Sequence, residues 1–155
     1  MIELPEDEIA FIAMYLKTFT KKKKEESRGK IGIIVLTHGN VGIEMVEVAN
    51  QLLNASFAVG LRCALDEPSS HALQRTQHAV EQLDEGRGCL ILTDMGSLVT
   101  FGQIITQRTG IDTRTISRVD TVMVIEAIRR AILEETTLDE LEQALNMEKE
   151  NQFPW

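Results

Sequence analysis

A chain of 155 residues, 43% apolar and 26% charged, can fill one globular core and is too apolar to be disordered. A formal net charge of −8 argues against nucleic acid as a direct partner, because phosphate binding needs a basic surface. No apolar run approaches the roughly 20 residues of a membrane helix, and the acidic start fits no signal peptide, so a cytoplasmic protein without membrane insertion is expected.

Residues 4–19 read as a helix. Pro5 suits a first helical position, and Glu6, Asp7 and Glu8 favour the positive end of the helix dipole. The run Ile9–Leu16 is apolar nearly all round, which predicts packing on two sides. Lys21–Lys24 and the Glu25-Glu-Ser-Arg-Gly29 stretch then read as a solvated linker holding a domain boundary.

From there strand and helix alternate. Ile31–Leu36 is a continuous apolar run, as in a strand covered on both faces. Val41, Met45, Val48, Ala49 and Leu52 recur at helical spacing, and Ala58–Leu65 reads as a second strand. Pro68 opens a helix with Leu73, Thr76, Val80 and Leu83 inward, which turns His71 and His78 to solvent and away from metal-ligand partners. Cys89–Thr93 is the third strand. Ser97 suits the N-cap of a helix with Leu98, Phe101 and Ile105 inward and Gly110 as its stop. A short strand, Arg114–Ser117, follows. Val124, Ile125, Ile128, Ala131 and Ile132 mark another helix, and Thr137-Leu-Asp-Glu140 has the form of a capping box for the last. Cys63 and Cys89 lie in apolar strands and read as buried free thiols without metal-ligand spacing. No cofactor is indicated.

Repeated strand–helix units with buried strands predict an α/β fold, doubly wound around a mostly parallel sheet. Ligands of such sheets bind beyond the carboxyl ends of the strands, where strand order reverses. Two strands end suggestively, in Thr37-His38-Gly39-Asn40 and in Thr93-Asp94-Met-Gly96-Ser97. In the order 2-1-3-4 these ends are neighbours. A carboxylate at Asp94 would then fix the tautomer of His38, leaving one ring nitrogen free to attack phosphorus. Glycines at 39 and 96 let backbone approach a phosphate at helix starts, and the Thr37 and Ser97 hydroxyls could add hydrogen bonds. The same residues also fit a polar strand end and a helix-capping aspartate; no nucleophile-elbow motif supports a serine hydrolase.

The run Ile33-Ile-Val-Leu-Thr-His38-Gly-Asn40, with Leu92-Thr-Asp94-Met-Gly-Ser97 after the second helical unit, resembles the mannose-type IIA domain of the bacterial sugar phosphotransferase system. The resemblance covers residues 30–147, leaving 148–155 as a tail. It implies phosphorylation of His38 by the histidine-containing phosphocarrier protein, with Asp94 orienting the ring. Thr37, Gly39, Asn40, Gly96 and Ser97 would surround the phosphate. It also implies a homodimer.

Transport-type members usually carry Gly-Gly-Ser-Pro after the aspartate. This chain has Met95-Gly-Ser-Leu-Val-Thr-Phe101, which looks more like the IIA-like modules inside levanase-regulator-type sigma-54-dependent activators. Residues 1–29 resemble the end of the phosphotransferase regulation domain that precedes those modules. Tyr15 stands where such helices often have a phosphorylatable histidine. The implied role is a regulatory module with attached regulation and ATPase domains, the chain being a piece of a longer protein. A free-standing transport component passing phosphate to a IIB domain, and an unphosphorylated interaction module, are the alternatives.

Overall fold

The computed structural model describes residues 29–133 and 135–151; the expected helix at 4–19 lies outside them. Four strands, β1 (Gly32–His38), β2 (Ala58–Cys63), β3 (Cys89–Thr93) and β4 (Thr113–Ile116), form one sheet in the order β2-β1-β3-β4. Every pairing is parallel, with Leu36 opposite both Leu61 and Thr93. The expected doubly wound α/β architecture is therefore the observed one, and β1 and β3 meet at the reversal of strand order.

The connections are α1 (Val41–Leu52), α2 (Ser69–Leu83), α3 (Phe101–Thr109), α4 (Thr121–Ala131) and α5 (Leu138–Asn151). The two-residue alternation of β1 and β3 divides the core between the sheet faces. Ile33, Val35, Leu90 and Leu92 meet Val46 and Ala49 of α1, Val124 and Ile128 of α4, and Leu141 and Leu145 of α5. Ile34, Leu36, Cys89 and Ile91 meet Ala72, Leu73 and Val80 of α2 with Leu98, Phe101 and Ile105. Burial on both faces explains why these strands are unbroken apolar runs. No helix among the described residues is long and apolar enough to cross a membrane.

Several ends form as their sequences dictate. The Thr137 hydroxyl accepts from Glu140 N–H (3.1 Å), and Thr137 N–H donates to the Glu140 carboxylate (3.3 Å), a reciprocal capping box. Gly110 stops α3 in a left-handed conformation.

Several details differ from expectation, the first being that β2 ends at Cys63, two residues short of the expected Leu65. α1 buries Gly42, Val46 and Ala49, while Val41, Val48 and Leu52 of the apolar repeat are exposed. Small residues at 42 and 49 let the helix axis approach the sheet, so the larger side chains are carried outward. Ser97 caps no α-helix: it sits in a 3₁₀ turn, Gly96–Thr100, with α3 starting only at Phe101. Strand β4 begins and ends one residue before the expected Arg114–Ser117.

Candidate functional site

The site is built on the carboxyl ends of β1 and β3. Strand β1 runs to His38, and Gly39, with φ of +71°, turns the chain towards α1. Gly39 N–H donates to the Cys63 carbonyl (3.0 Å), tying this turn to the end of β2. Pairing of Leu36 with Thr93 brings Asp94 alongside His38.

Asp94 holds His38 at two points. Its Oδ2 accepts from His38 N–H (3.0 Å), and His38 Nδ1 lies 3.1 and 3.2 Å from Oδ1 and Oδ2. Met95 N–H also donates to Oδ1 (2.8 Å), so the carboxylate is itself fixed. An ionised carboxylate only accepts, so in the neutral ring Nδ1 carries the proton and Nε2 the lone pair. The His38 side chain is 23% exposed and that of Asp94 30%, so a reagent can reach the ring without its orientation being lost to solvent.

The other expected residues are placed differently from one another. Gly96 has φ of +76°, and a β-carbon there would stand 3.9 Å from His38 Cε1, so the turn runs close against the imidazole. Ser97 is exposed, with its hydroxyl 3.0 Å from that of Ser69 at the start of α2. Asn40 is exposed at the head of α1; its side chain makes no capping bond, and its carbonyl accepts from Glu44 N–H (3.1 Å). Thr37 is not on the rim. Its hydroxyl is buried and accepts from Gly42 N–H (2.8 Å), which makes it a clamp between β1 and α1.

Two contributors lie outside the residues expected from the sequence. Arg118 N–H donates to the Asp94 carbonyl (3.1 Å) and Val119 N–H to that of Thr93 (2.9 Å), lashing the loop after β4 to the site. Asp120 caps α4 by accepting from Met123 N–H (2.7 Å); an aspartate just before an apolar helical repeat was a usable signal. The backbone bonds of Arg118 leave no such trace.

Beside the site, Glu67 bridges β2 and α2. Its carboxylate accepts from Arg75 Nη2 (2.8 Å) and Nε (3.0 Å), from Ala64 N–H (3.3 Å), and lies 2.7 Å from His71 Nδ1. Hydrogen bonds from Arg75 foremost, then from His71 and Cys63, hold the Glu67 carboxyl down at about 2. His71 is solvent-facing as expected, yet it has this carboxylate partner. Both cysteines are buried free thiols: burial raises Cys63, and burial pushes Cys89 up to about 12, so both are protonated. Among the described residues no group of three or more histidine, cysteine or acidic side chains is arranged to hold a metal ion.

A doubly wound parallel sheet with this strand order is the architecture of mannose-type phosphotransferase IIA domains. The chain belongs to the EIIA-man family, described as the PTS system fructose IIA component, whose pattern matches residues 32–145. It is similar to the transcriptional regulatory protein LevR of Bacillus subtilis (strain 168), with 38% identity over 130 residues. That match takes in 83% of this chain and 14% of LevR, so the chain spans a small part of that relative.

Among solved structures it is similar to a sigma-54 interaction domain protein from Enterococcus faecalis, at 30% identity and a TM-score of 0.76, covering 81% of this chain and 94% of that one. A phosphotransferase system component EIIA from Streptococcus agalactiae shares the fold, with 19% identity, a TM-score of 0.67 and coverage of 79% and 95%.

Proposed function

We propose that this domain accepts a phosphoryl group on His38 from the phosphorylated histidine-containing phosphocarrier protein, and that the modification controls a transcriptional activator of sugar-uptake genes. The observation that carries the reading is the contact of His38 Nδ1 with both carboxylate oxygens of Asp94, which reserves Nε2 as the nucleophile. As the phosphorus–Nε2 bond forms, the bond from phosphorus to the donor's imidazole nitrogen breaks, and the donor ring keeps that electron pair. Nε2 has no proton to lose. The Nδ1 proton stays on the ring, and Asp94 balances the positive charge that develops there.

Regulation is favoured over onward transport by the likeness to LevR and to a sigma-54 interaction domain protein. A phosphoryl group adds negative charge and three strong acceptor oxygens beside the starts of α1 and the 3₁₀ turn, a local change that an attached domain can read. The test is incubation with labelled phosphoenolpyruvate, enzyme I and the phosphocarrier protein. Acid-labile label that disappears in His38→Ala is expected; equal labelling of that variant would sink the proposal. Rapid, complete passage of the label to a IIB protein would instead make the domain a transport component.

A further inference from the structure

Arg118 occupies an uncommon position for a cation. It follows β4, and its own N–H is bonded to the carbonyl of Asp94, the residue that orients His38. β4 neighbours β3 and β3 neighbours β1, at about 4.8 Å per step. The root of Arg118 is therefore about two strand spacings from that of His38, a gap that an arginine side chain from one side and the imidazole with its phosphoryl group from the other can close together.

The backbone at Arg118 is held in the left-handed region, with φ of +58°. Among the described residues only Asn54 is a second non-glycine residue with positive φ, and asparagine takes that region readily. Arginine does so at a cost, and such strain persists only where the surroundings impose it. Here Arg118 and Val119 are bonded to the end of β3. Behind them, Lys149 Nζ of α5 donates to the Ser117 carbonyl (2.9 Å) and approaches the Ser117 hydroxyl (3.3 Å).

Charge gives the second argument. In a chain of net charge −8, Arg75, Arg114, Arg129 and Arg130 are each paired with carboxylates, whereas Arg62 on β2 and Arg108 on α3, like Arg118, have no carboxylate partner among the described residues. Of these three, Arg118 alone is bonded through its backbone to Asp94. Arg118 has no ion pair or side-chain hydrogen bond among the described residues. Its charged neighbour is instead another cation, Lys149, which burial and then the Arg118 charge push below the usual lysine range. The Arg118 charge thus acts against the protonated form of Lys149, with Glu150 acting the other way, and an added anion beside them would be favoured by both cations.

We propose that Arg118 is a phosphoryl-binding residue, its guanidinium engaging the oxygens of the phosphoryl group as that group is transferred to His38 Nε2. This rests on the reading of His38 as the acceptor. A guanidinium offers a planar fork of donors to such oxygens, and the fixed backbone presents it without a search. No proton moves to or from Arg118. It stabilises negative charge on the transferring group and leaves the bond changes at phosphorus as they are.

The experiment compares the whole chain with its Arg118→Gly, Arg118→Lys and Arg108→Ala variants, using labelled phosphoenolpyruvate, enzyme I and the phosphocarrier protein. Glycine removes the guanidinium and suits the positive φ, so the fold should melt at or above the parent temperature. Arg108, in the last turn of α3 at the opposite end of the sheet, controls for the loss of one charge.

For Arg118→Gly, the maximal labelling rate is expected to fall on the order of tenfold or more, with the KM for the phosphocarrier little changed. Arg118→Lys and added free guanidinium should each recover part of it, and Arg108→Ala should match the parent. Labelling of Arg118→Gly at the parent rate, a loss matched by Arg108→Ala, or a loss wholly in KM would overturn the assignment. Failure of the parent itself to label at His38 would be the failure of the acceptor reading, and this one would fall with it.

Discussion

Asp94 grips His38 by main chain and ring together: its carboxylate accepts the His38 backbone N–H at 3.0 Å while lying 3.1 Å from the ring Nδ1. The position of the imidazole and the identity of its protonated nitrogen are thus set by a single side chain. That coupling separates a structural effect from a chemical one in the Asp94→Asn variant. The amide oxygen can still accept from His38 N–H, so the fold should survive. An amide NH₂ facing Nδ1 drives the ring proton to Nε2 and removes the nucleophilic lone pair. The labelling rate is expected to fall by about a hundredfold or more, with the melting temperature within a few degrees of the parent. A parent-like rate would show that the carboxylate does not set the tautomer.

Gly96 tests how tightly the turn is drawn over the ring. Alanine there must adopt φ near +76° and places its β-carbon 3.9 Å from His38 Cε1. The contact is ordinary van der Waals distance, so the backbone conformation is the main cost, about 1–2 kcal/mol. Gly96→Ala should lower the midpoint of urea unfolding by that amount. It should also slow labelling, because the relaxed turn displaces Met95, whose N–H holds the Asp94 carboxylate. Unchanged stability would mean that the turn relaxes without strain.

The fold was legible where a segment had only one way to bury itself. Ile31–Leu36 has no polar face, so it had to be a strand covered on both sides, and helices on both sides followed. His38 and Asp94 were legible together because each directly ends a run of that kind, on strands that parallel topology makes adjacent. Features decided by local backbone geometry were not. Ser97 has the chemistry of an N-cap, but the positive φ of Gly96 starts a 3₁₀ turn first, and its hydroxyl pairs with that of Ser69. The inward face of α1 was misleading because Gly42 and Ala49, two of its smallest side chains, lie against the sheet. Nothing in the letters marks Arg118 as left-handed; that conformation is imposed by bonds to residues distant in sequence.

Thr37 divides a ligand contact from a scaffold contact. Its buried hydroxyl accepts from Gly42 N–H at 2.8 Å, and valine has the same shape without the acceptor. Thr37→Val leaves that N–H buried and unsatisfied at the head of α1, a cost of about 1–3 kcal/mol. Unfolding free energy should fall accordingly, while the labelling rate per folded molecule stays close to that of the parent. A large loss of rate at unchanged stability would instead place the hydroxyl on the phosphate.

Glu67 predicts the acid limb of stability. Its side chain is only 9% exposed, and its carboxyl is held at about 2, first by hydrogen bonds from Arg75, against an unfolded value of about 4.3. With the folded value depressed, the unfolded state binds the proton more readily. Glu67 therefore contributes its stability in full above the unfolded value and loses it as pH falls from there through about 2. Glu67→Gln keeps the shape and cannot ionise. Urea unfolding at a series of pH values should show the parent more stable by a constant margin between pH 5 and neutrality, on the order of one unfolded-to-folded pKa shift. That margin should shrink steadily below about pH 4.5 and be nearly gone towards pH 2. His71, more than half exposed, shares the carboxylate, so His71→Ala should narrow the margin slightly, whereas Arg75→Ala should remove most of it. A margin that persists at the acid end would mean that Glu67 acts through packing and that its charge contributes nothing.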